Sequence, residues 1–366
     1  MAGSSFGKIF TVTTFGESHG SAVGVVVDGV PSLLPLTEAD IQPFMDRRRP
    51  GANRFTTARK ESDKVRILSG TFEGKTTGTP LTMVVFNEDQ HSSDYLELKD
   101  VYRPGHADLT YDLKYGIRDY RGGGRSSGRE TIGRVAGGAV ASIILQKLGV
   151  RVLSWVSSIG PAVCDPKRFD LSFLKNSALA MPDPEAEKEA AAYLEECKAS
   201  LTSAGGTVTC VVSGMKSGIG EPVFDKLDAC LGKALFSIGA VKAVEIGSGT
   251  SAAAMRGNEH NDQAGINENG LPVRLTNHAG GILGGISSGD DILLKVTFKP
   301  TPSISAQQSA LHTDGTVSPL TIGGRHDPQI PSRAAVVVEA MTAMTILDLM
   351  MINMSSTMDG LIKFYS

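Results

Sequence analysis

Two histidines lie in glycine-flanked segments that could present an imidazole to a ligand. His19 follows Ser18 in the segment GESHG at 16–20, and His106 lies in RPGHAD at 103–108. Imidazole is the side chain that most readily transfers a proton near neutral pH. The two segments therefore indicate candidate acid–base groups. A turn whose serine and histidine bond to the backbone is the structural alternative for 16–20.

The segment GESHG also matches the G-x-S-x-G pattern of the serine-hydrolase nucleophile elbow. That elbow needs a strand before it and a helix after it. The residues that follow, AVGVVVDGVP, indicate a strand instead. We therefore expect a loop that presents Ser18 and His19 to a ligand; a hydrolase, which a phosphonate ester would trap at Ser18, is the competing reading.

Arginines are concentrated in two loops. DRRRPGANR at 46–54 contains Pro50-Gly51, which stops a helix, so we expect its cations on a turn where they can converge. GGGRSSGRE at 122–130 combines arginines with glycines and a helix start, a combination that suits an anion. Guanidinium groups can bind phosphate or carboxylate bidentately. A solvated charged face is the alternative for 46–54.

Three further segments could contact a ligand. NHAGGILGGISSG at 277–289 is either a hinge in the core or a close backbone approach to a flat ring system. KPTPS at 299–303 is a second loop, and RHDP at 325–328 places an aspartate two residues from an arginine. That arginine and aspartate could form only a salt bridge, or the aspartate could position or accept a proton.

Composition limits the class of protein. The chain has 366 residues, with 36 Lys+Arg and 39 Asp+Glu, so its net charge is −3. This balance disfavours a nucleic-acid-binding protein, whose affinity for nucleic acid would fall steeply as the salt concentration rises. The N-terminus lacks the features of a signal peptide. The four cysteines lack metal-site spacing and indicate reduced thiols of a cytosolic protein.

The elements that must position these loops are helices and strands without regular alternation. Strands are predicted at 22–28, 65–71, 81–86, 208–213, 243–246 and 292–298. Helices are predicted at 130–148, from Asp183-Pro184 onward, at 225–237 and at 334–354.

The helix at 334–354 is long enough to span a bilayer, but Glu339 and Asp348 interrupt it, so we expect a buried core helix. Glycines at 133, 137 and 138 predict a second backbone packed closely on the helix at 130–148. The pattern favours an α+β fold with antiparallel sheets and a single domain over 1–366.

Taken in order, the motif blocks resemble the chorismate synthase family over essentially the whole chain. The blocks are GESHGSAVGVVVDGVP from Gly16, GRSSGRETIGRVAGGAV from Gly124 and RHDPQIPSRAAVVVEAM from Arg325, with DRRRPG, RPGHAD, NHAGGILGG and KPTPSI between them. Two positions depart from the family pattern: Gln329 replaces a small residue, and Gly239 stands where some members have Asn.

The resemblance implies a carbon–oxygen lyase at the last step of the shikimate pathway, which feeds aromatic amino acid biosynthesis. It would convert 5-enolpyruvylshikimate 3-phosphate to chorismate by 1,4-anti elimination of phosphate, with reduced FMN and no net redox change. The implied fold is a sandwich of antiparallel β-sheets around a helical core. The implied assembly is a cytoplasmic homotetramer that binds neither a metal, nor nucleic acid, nor a membrane.

The resemblance also implies residue roles. His19 would protonate the departing phosphate, and His106 would manage charge near the pyrimidine edge of the flavin. Asp327, with Ser18 and Ser127, would relay the flavin N5 proton. The substrate or NADP would be bound by Arg48, Arg54 and Arg129. FMN would be surrounded by Arg125, Ser126, Ser127, Gly239, Ala240, Gly284, Lys299, Pro300, Thr301, Pro302, Ser303 and Arg325. The flavin could be reduced by NADPH bound to this chain or by an external reductase. The lack of an added reductase domain favours the external reductase.

Overall fold

A computed structural model describes residues 3–51, 55, 61–88, 97–323 and 327–366. Its strands are β1 (Ser5–Phe6), β2 (Thr11–Gly16), β3 (Ala22–Asp28), β4 (Arg66–Ser69), β5 (Thr71–Phe72), β6 (Lys75–Thr76), β7 (Leu81–Phe86), β8 (Val101–Tyr102), β9 (Arg151–Ile159), β10 (Ala162–Val163), β11 (Gly206–Ser213), β12 (Val241–Ile246), β13 (Ala264–Ile266), β14 (Pro272–Arg274), β15 (Ile282–Leu283), β16 (Ile286–Ser287), β17 (Ile292–Phe298), β18 (Gln308–His312) and β19 (Val317–Leu320). Its α-helices are α1 (Glu38–Arg48), α2 (Asp108–Tyr115), α3 (Thr131–Lys147), α4 (Leu171–Leu174), α5 (Pro184–Ala199), α6 (Leu227–Phe236), α7 (Gly257–His260), α8 (Pro331–Asn353) and α9 (Met358–Tyr365).

Two antiparallel sheets of five strands form the outer layers. The first has the strand order β1-β2-β3-β7-β4, and the second has the order β10-β9-β11-β17-β12. Runs of β-branched residues form their central strands, and alternate side chains of β11 and β17 are buried. The strands predicted at 22–28, 81–86 and 292–298 coincide with β3, β7 and β17.

Helices α3 and α8 fill the space between the two sheets. Helix α3 packs on β2, β3 and β7, α8 packs on β9 and β11, and the two helices pack on each other. Both are apolar around most of their circumference, as expected for helices enclosed by protein. The fold is therefore α+β, a sandwich of antiparallel sheets around a helical core, as predicted. That residues 1–366 form a single catalytic domain stays a prediction.

Close packing of α3 follows from its glycines. A Cβ atom on Gly138 would lie 2.3 Å from the Cβ of Ala340 on α8, and one on Gly133 would lie 2.7 Å from the carbonyl oxygen of Gly24 on β3. The predicted approach of another backbone to this helix is confirmed, with one neighbour on each side.

Helix α8 is the long apolar segment. It is the one helix in the described part of the chain that is long and apolar enough to cross a membrane, and 83% of its most apolar window is buried in the protein. Glu339 and Asp348 are both buried and hydrogen-bonded within the fold. The prediction of a core helix is confirmed.

One prediction about local structure is wrong. Arg47 and Arg48 were expected on a turn, but they form the last turn of α1, which continues through Pro43 and ends before Pro50. Thr37 and Asp40 form a capping box at its start, and this local signal identifies the helix. The helix matters for function because it fixes the directions in which the two arginines point.

Candidate active site

A cleft of about 550 Å³ lies where the first turn of α3, the start of α8 and the segments at 103–107, 238–242 and 299–303 meet. These segments are far apart in sequence, and the two sheets bring them together. Of the residues singled out in the sequence, the cleft is lined by Ser18, Arg48, His106, Ser126, Ser127, Arg129, Gly239, Ala240, Lys299, Thr301, Pro302, Ser303 and Asp327.

The remaining candidates are not among the cleft residues that the structure describes. His19, Arg125, Gly284 and Pro300 are not part of the cleft lining, and Arg54 and Arg325 lie outside the described residues. The segment 277–289 folds as the hairpin β15–β16, in which a Cβ on Gly280 would lie 2.3 Å from the backbone nitrogen of Gly247. Gly280 therefore allows close packing against Gly247, directly after β12, whereas the Cβ position of Gly284 has no atom of the described residues within 4 Å; the approach of this segment to a ring system stays a prediction.

The segment at 16–20 joins β2 to β3 as a hairpin connection. A strand, not a helix, follows Ser18, so the nucleophile-elbow reading is wrong. Ser18 is 2% exposed and lines the cleft, whereas His19 is buried behind the cleft wall. The His19 ring packs against Gly122, where a Cβ would lie 2.4 Å from Nδ1 and 2.3 Å from Cε1. Gly122 has φ +64 and lines the cleft, so glycine is needed here for both the turn and the ring.

His106 is held by Asp108. Its Nδ1 lies 2.9 Å from Asp108 Oδ1 and 3.1 Å from Arg103 Nη2. Arg103 donates to the same carboxylate from Nε at 2.8 Å and from Nη2 at 3.0 Å. Burial opposes ionisation of Asp108, but hydrogen bonds from His106 and Arg103 hold its pKa well below the usual range. With Nδ1 occupied in this way, Nε2 is the nitrogen that can act on a ligand in the cleft.

Two buried arginines share one carboxylate on the opposite wall. Arg48 Nη1 donates to Asp63 Oδ2 at 2.7 Å, and Arg129 Nη1 donates to Asp63 Oδ1 at 2.9 Å. The arginine side chains are 2% and 4% exposed, and the Asp63 side chain is fully buried. Arg129 Nε also donates to Asn87, whose amide nitrogen donates to the carbonyl of Gly20 at 2.7 Å. The arginines are thereby coupled to the Ser18 loop.

The arginine neighbours of these two side chains have structural contacts. Arg47 pairs with Glu339 on α8 through two hydrogen bonds, of 2.9 and 2.8 Å. Arg125 donates to Thr14 Oγ1 at 2.7 Å and to the carbonyl of Gly16 at 3.3 Å, so its side chain supports β2. Sequence reasoning could not separate these roles, because partners from distant elements decide which way each arginine points.

The turn that precedes α3 lines the cleft. Ser127 Oγ accepts from the backbone N–H of Arg129 at 3.3 Å and caps the short 3-10 turn at 128–130 that precedes the helix. Residues 126–131 all line the cleft. The positive end of the helix dipole therefore faces it, as the glycine–arginine–serine pattern indicates for an anion site.

The loop after β17 forms the cationic rim. Lys299 Nζ donates to the carbonyl of Gly105 at 2.5 Å, and the side chain of Lys242 also lines the cleft. Burial, and secondarily the charge of Lys242, lower the pKa of Lys299. Within the described chain, Thr301 Oγ1 is buried without a hydrogen-bond partner. A buried hydroxyl of this kind is costly unless a ligand or water satisfies it.

Asp327 lies at the start of α8 and pairs with Arg333. Arg333 Nη1 contacts Asp327 Oδ2 at 2.5 Å, and its Nε donates to the carbonyl of Arg48 at 3.0 Å. Gln329, a departure from the family pattern, is fully buried and accepts from the backbone N–H of Ser332 at 3.0 Å, so it caps α8.

Sequence reasoning missed three supporting residues of the cleft: Asp63, Arg103 and Arg333. Arg103 and Asp108 flank His106 within RPGHAD, and this spacing is a local signal that could have identified the group. Asp63 has no comparable signal, since its partners Arg48 and Arg129 are 15 and 66 residues away. Arg333 also contacts the carbonyl of Arg48, 285 residues away, which no local pattern indicates.

Comparisons with known proteins agree with this arrangement. The chorismate synthase family model matches residues 10–351. Chorismate synthases of Lachnoclostridium phytofermentans and Agathobacter rectalis are 55% and 54% identical over 365 residues, which cover all of this chain and 100% and 99% of theirs. A solved structure described as a crystal structure of chorismate synthase superimposes with a TM-score of 0.76 at 29% identity, covering 98% of this chain and 97% of that one.

The α+β sandwich, with two buried arginines and a histidine lining one cleft, together with these relatives, places the chain in the carbon–oxygen lyase class. The chain belongs to the chorismate synthase family. The family is that of a carbon–oxygen lyase, at the last step of the shikimate pathway.

Proposed function

We propose that the chain catalyses the 1,4-anti elimination of phosphate from 5-enolpyruvylshikimate 3-phosphate, with reduced FMN and no net redox change. The observation that carries the proposal is the convergence of Arg48, Arg129, His106, Lys299 and Asp327 on one cleft. The substrate carries a phosphate and two carboxylates. Local cations of this density attract such an anion even though the net charge of the chain is −3.

Arg48 and Arg129 bind the anionic groups of the substrate in this proposal. Both are nearly inaccessible to solvent, so their charges are screened little by salt. The start of α3 lines the same cleft, so the positive end of its helix dipole adds to the field of the two arginines. Release of phosphate generates negative charge on the leaving oxygen, and fixed cations stabilise that charge as it develops.

The residues present fit a flavin mononucleotide. Thr301 Oγ1 provides a buried hydroxyl whose hydrogen bond a ligand can complete. No atom of the described residues lies within 4 Å of the Cβ position of either Gly239 or Gly128, so a flat ring can approach both backbones. Lys299 and Ser126 stand beside them and would hold the polar edges of the cofactor. When bound, reduced FMN supplies electron density that stabilises the transition state of the elimination.

Protons are handled by side chains of the chain itself. His106, fixed at Nδ1 by Asp108, offers Nε2 to the cleft. His19 is the proton donor to the departing phosphate that the family resemblance implies; it is 7% exposed and packs against Gly122, which lines the cleft. Asp327 accepts a proton at its carboxylate, with Ser18 and Ser127 as neighbouring hydroxyls in the cleft. The C–H and C–O bonds break, the ring gains a double bond, and phosphate leaves.

The remaining properties follow from family membership. We assign the chain to the monofunctional type, with FMN reduced by an external system rather than by bound NADPH; NADP binding at Arg48, Arg54 and Arg129 is the bifunctional alternative. We further propose that the chain is cytoplasmic and that it assembles as a homotetramer. The sequence supports these assignments only through resemblance, so each is part of the proposal.

The cofactor requirement can be tested directly. The purified chain is incubated anaerobically with the phosphate ester and FMN, with or without dithionite, and chorismate and phosphate are measured. We expect turnover only with dithionite, because only the reduced ring is electron-rich. Equal rates with oxidised FMN would contradict the flavin proposal. Replacing dithionite by NADPH alone distinguishes the two types, since turnover would indicate that the chain reduces its own flavin.

A further inference from the structure

Asp63 occupies an unusual position for an acidic residue. It is 1% exposed and lies three residues before β4, with its backbone in the left-handed region at φ +46. Few residues other than glycine adopt this conformation, and aspartate and asparagine are among those that do. The backbone thus aims this carboxylate inward instead of leaving it in solvent.

The carboxylate contacts both arginines of the cleft through different oxygens. Oδ2 accepts from Arg48 at 2.7 Å and Oδ1 accepts from Arg129 at 2.9 Å. The other contacts of the two guanidinium groups do not duplicate this link. Arg48 Nε donates to Thr131 Oγ1 at 3.1 Å, while Arg129 Nη2 lies 3.3 Å from Glu61 Oε2. Through these two hydrogen bonds, Asp63 bridges the two cations.

The bridge is also an electrostatic requirement. Two guanidinium groups held this close and out of water repel each other, and a shared carboxylate offsets that repulsion. Burial raises the pKa of Asp63, but Arg48 and Arg129 outweigh burial and lower it overall. The carboxylate is consequently ionised at neutral pH and carries the charge that the pair needs.

We propose that Asp63 is a positioning residue of the anion site, which sets the separation and direction of the Arg48 and Arg129 guanidinium groups for the substrate. Each arginine donates one hydrogen bond to a separate oxygen of Asp63, while Arg48 Nε donates to Thr131 and Arg129 Nε donates to Asn87, so each guanidinium group is held from two sides. This inference rests on the proposed function, because it takes the two arginines as the binders of substrate anions.

A positioning role and a role limited to charge neutralisation predict opposite changes in anion affinity when Asp63 is replaced. If Asp63 only reduced the positive charge, its replacement by a neutral residue would make the cleft more cationic and would strengthen anion binding. A positioning role predicts weaker binding, because an amide would offer N–H to one arginine where an acceptor is needed. The sign of the change in affinity therefore separates the two roles.

The experiment compares Asp63→Asn, Asp63→Glu and the wild type in the anaerobic assay with dithionite-reduced FMN. We expect Asp63→Asn to raise the KM for the phosphate ester about tenfold or more, with a smaller change in kcat, and to raise the inhibition constant of inorganic phosphate in parallel. Asp63→Glu keeps the charge but displaces the carboxylate, so its KM should also rise. Asp46→Asn removes the same charge from an exposed position on α1 and should leave KM unchanged.

The experiment separates effects of each substitution on folding from its effects on substrate binding. Thermal unfolding is followed for every variant, and kinetics are measured well below the lowest transition. If Asp63→Asn does not fold, Asp63→Glu alone decides the question, because a neutraliser would tolerate it. A normal KM in Asp63→Glu, or tighter phosphate binding in Asp63→Asn, would overturn the inference. An inactive wild type with reduced FMN would instead overturn the proposed function.

Discussion

Neighbouring residues of the same type have unrelated tasks in this protein. Arg47 supports the core, Arg48 faces the cleft, and Arg49 is exposed. The sequence shows three adjacent cations, but only the direction of the helix and the position of Glu339 and Asp63 distinguish them. Residue types therefore indicate an anion site, which stays a prediction, whereas the direction of each individual side chain needed the fold.

Arg48 provides the test at this scale. Arg48→Ala should weaken substrate binding about 10–150-fold, since charged hydrogen bonds contribute roughly 1.5–3 kcal/mol. Arg48→Lys should recover only part of that loss, because lysine cannot contact Asp63 and Thr131 together. The readout is KM for the phosphate ester in the anaerobic assay.

The matched control for Arg48 is Arg49→Ala. Arg49 is the exposed residue directly after α1, so its loss should leave KM and stability close to the wild type. Arg47 is unsuitable as a control, because its removal would leave the buried Glu339 without its bidentate partner. If Arg48 and Arg49 variants bind substrate equally well, the anion site lies elsewhere.

At the scale of elements, strands formed by runs of β-branched residues could be predicted, whereas segments without a clear residue pattern could not. The bounds of β3, β7 and β17 follow from Val, Ile and Thr patterns, and the start of α5 follows from Asp183-Pro184. Strand β9 and helix α1 were missed. Pro43 within α1 obscured its pattern, and tertiary contacts with α3 and α8 override that local cost.

Replacing two helical glycines by alanine should change the stability of the protein in opposite directions. In an exposed helix, Gly→Ala usually stabilises by up to about 1 kcal/mol. Gly138→Ala should instead destabilise by about 1–3 kcal/mol, because its Cβ would lie 2.5 Å from the Cα of Ala340 and the helices must separate. Gly232→Ala on α6 meets nothing within 4 Å among the described residues and should stabilise. Urea unfolding of both variants measures the difference.

The outcome for this pair is informative in either direction. If Gly138→Ala is as stable as the wild type, α3 and α8 are not in backbone contact and the closeness of the two helices is unimportant. If Gly232→Ala is also destabilising, the helix-propensity argument does not apply to α6. The expected opposite signs would show that packing, and not propensity, decides at position 138.

At the scale of the whole molecule, the apolar run at 334–354 forms most of α8, which packs on the second sheet and on α3, the helix that packs on the first sheet. Its two acidic residues looked like interruptions in the sequence, and they were enough to predict a core helix. The fold uses each to attach a distant segment. Glu339 holds Arg47 and Ser154, and Asp348 holds the backbone of residues 8–10. The sequence could not indicate these partners, because the residues that Asp348 contacts lie about 340 positions away.

Asp348 therefore joins the beginning of the described chain to the end of α8. Its Oδ1 accepts from the backbone N–H groups of Lys8, Ile9 and Phe10 at 3.1, 2.7 and 3.0 Å. Asp348→Ala would leave these N–H groups without their acceptor and should lower the free energy of unfolding by about 3 kcal/mol, since an unsatisfied buried donor costs roughly 1–3 kcal/mol. Asp348→Asn keeps one carbonyl acceptor and should lose less. Asp359→Asn on the exposed face of α9 is the control. Equal stability of all three variants in urea unfolding would mean that water satisfies the three donors as well as the carboxylate does.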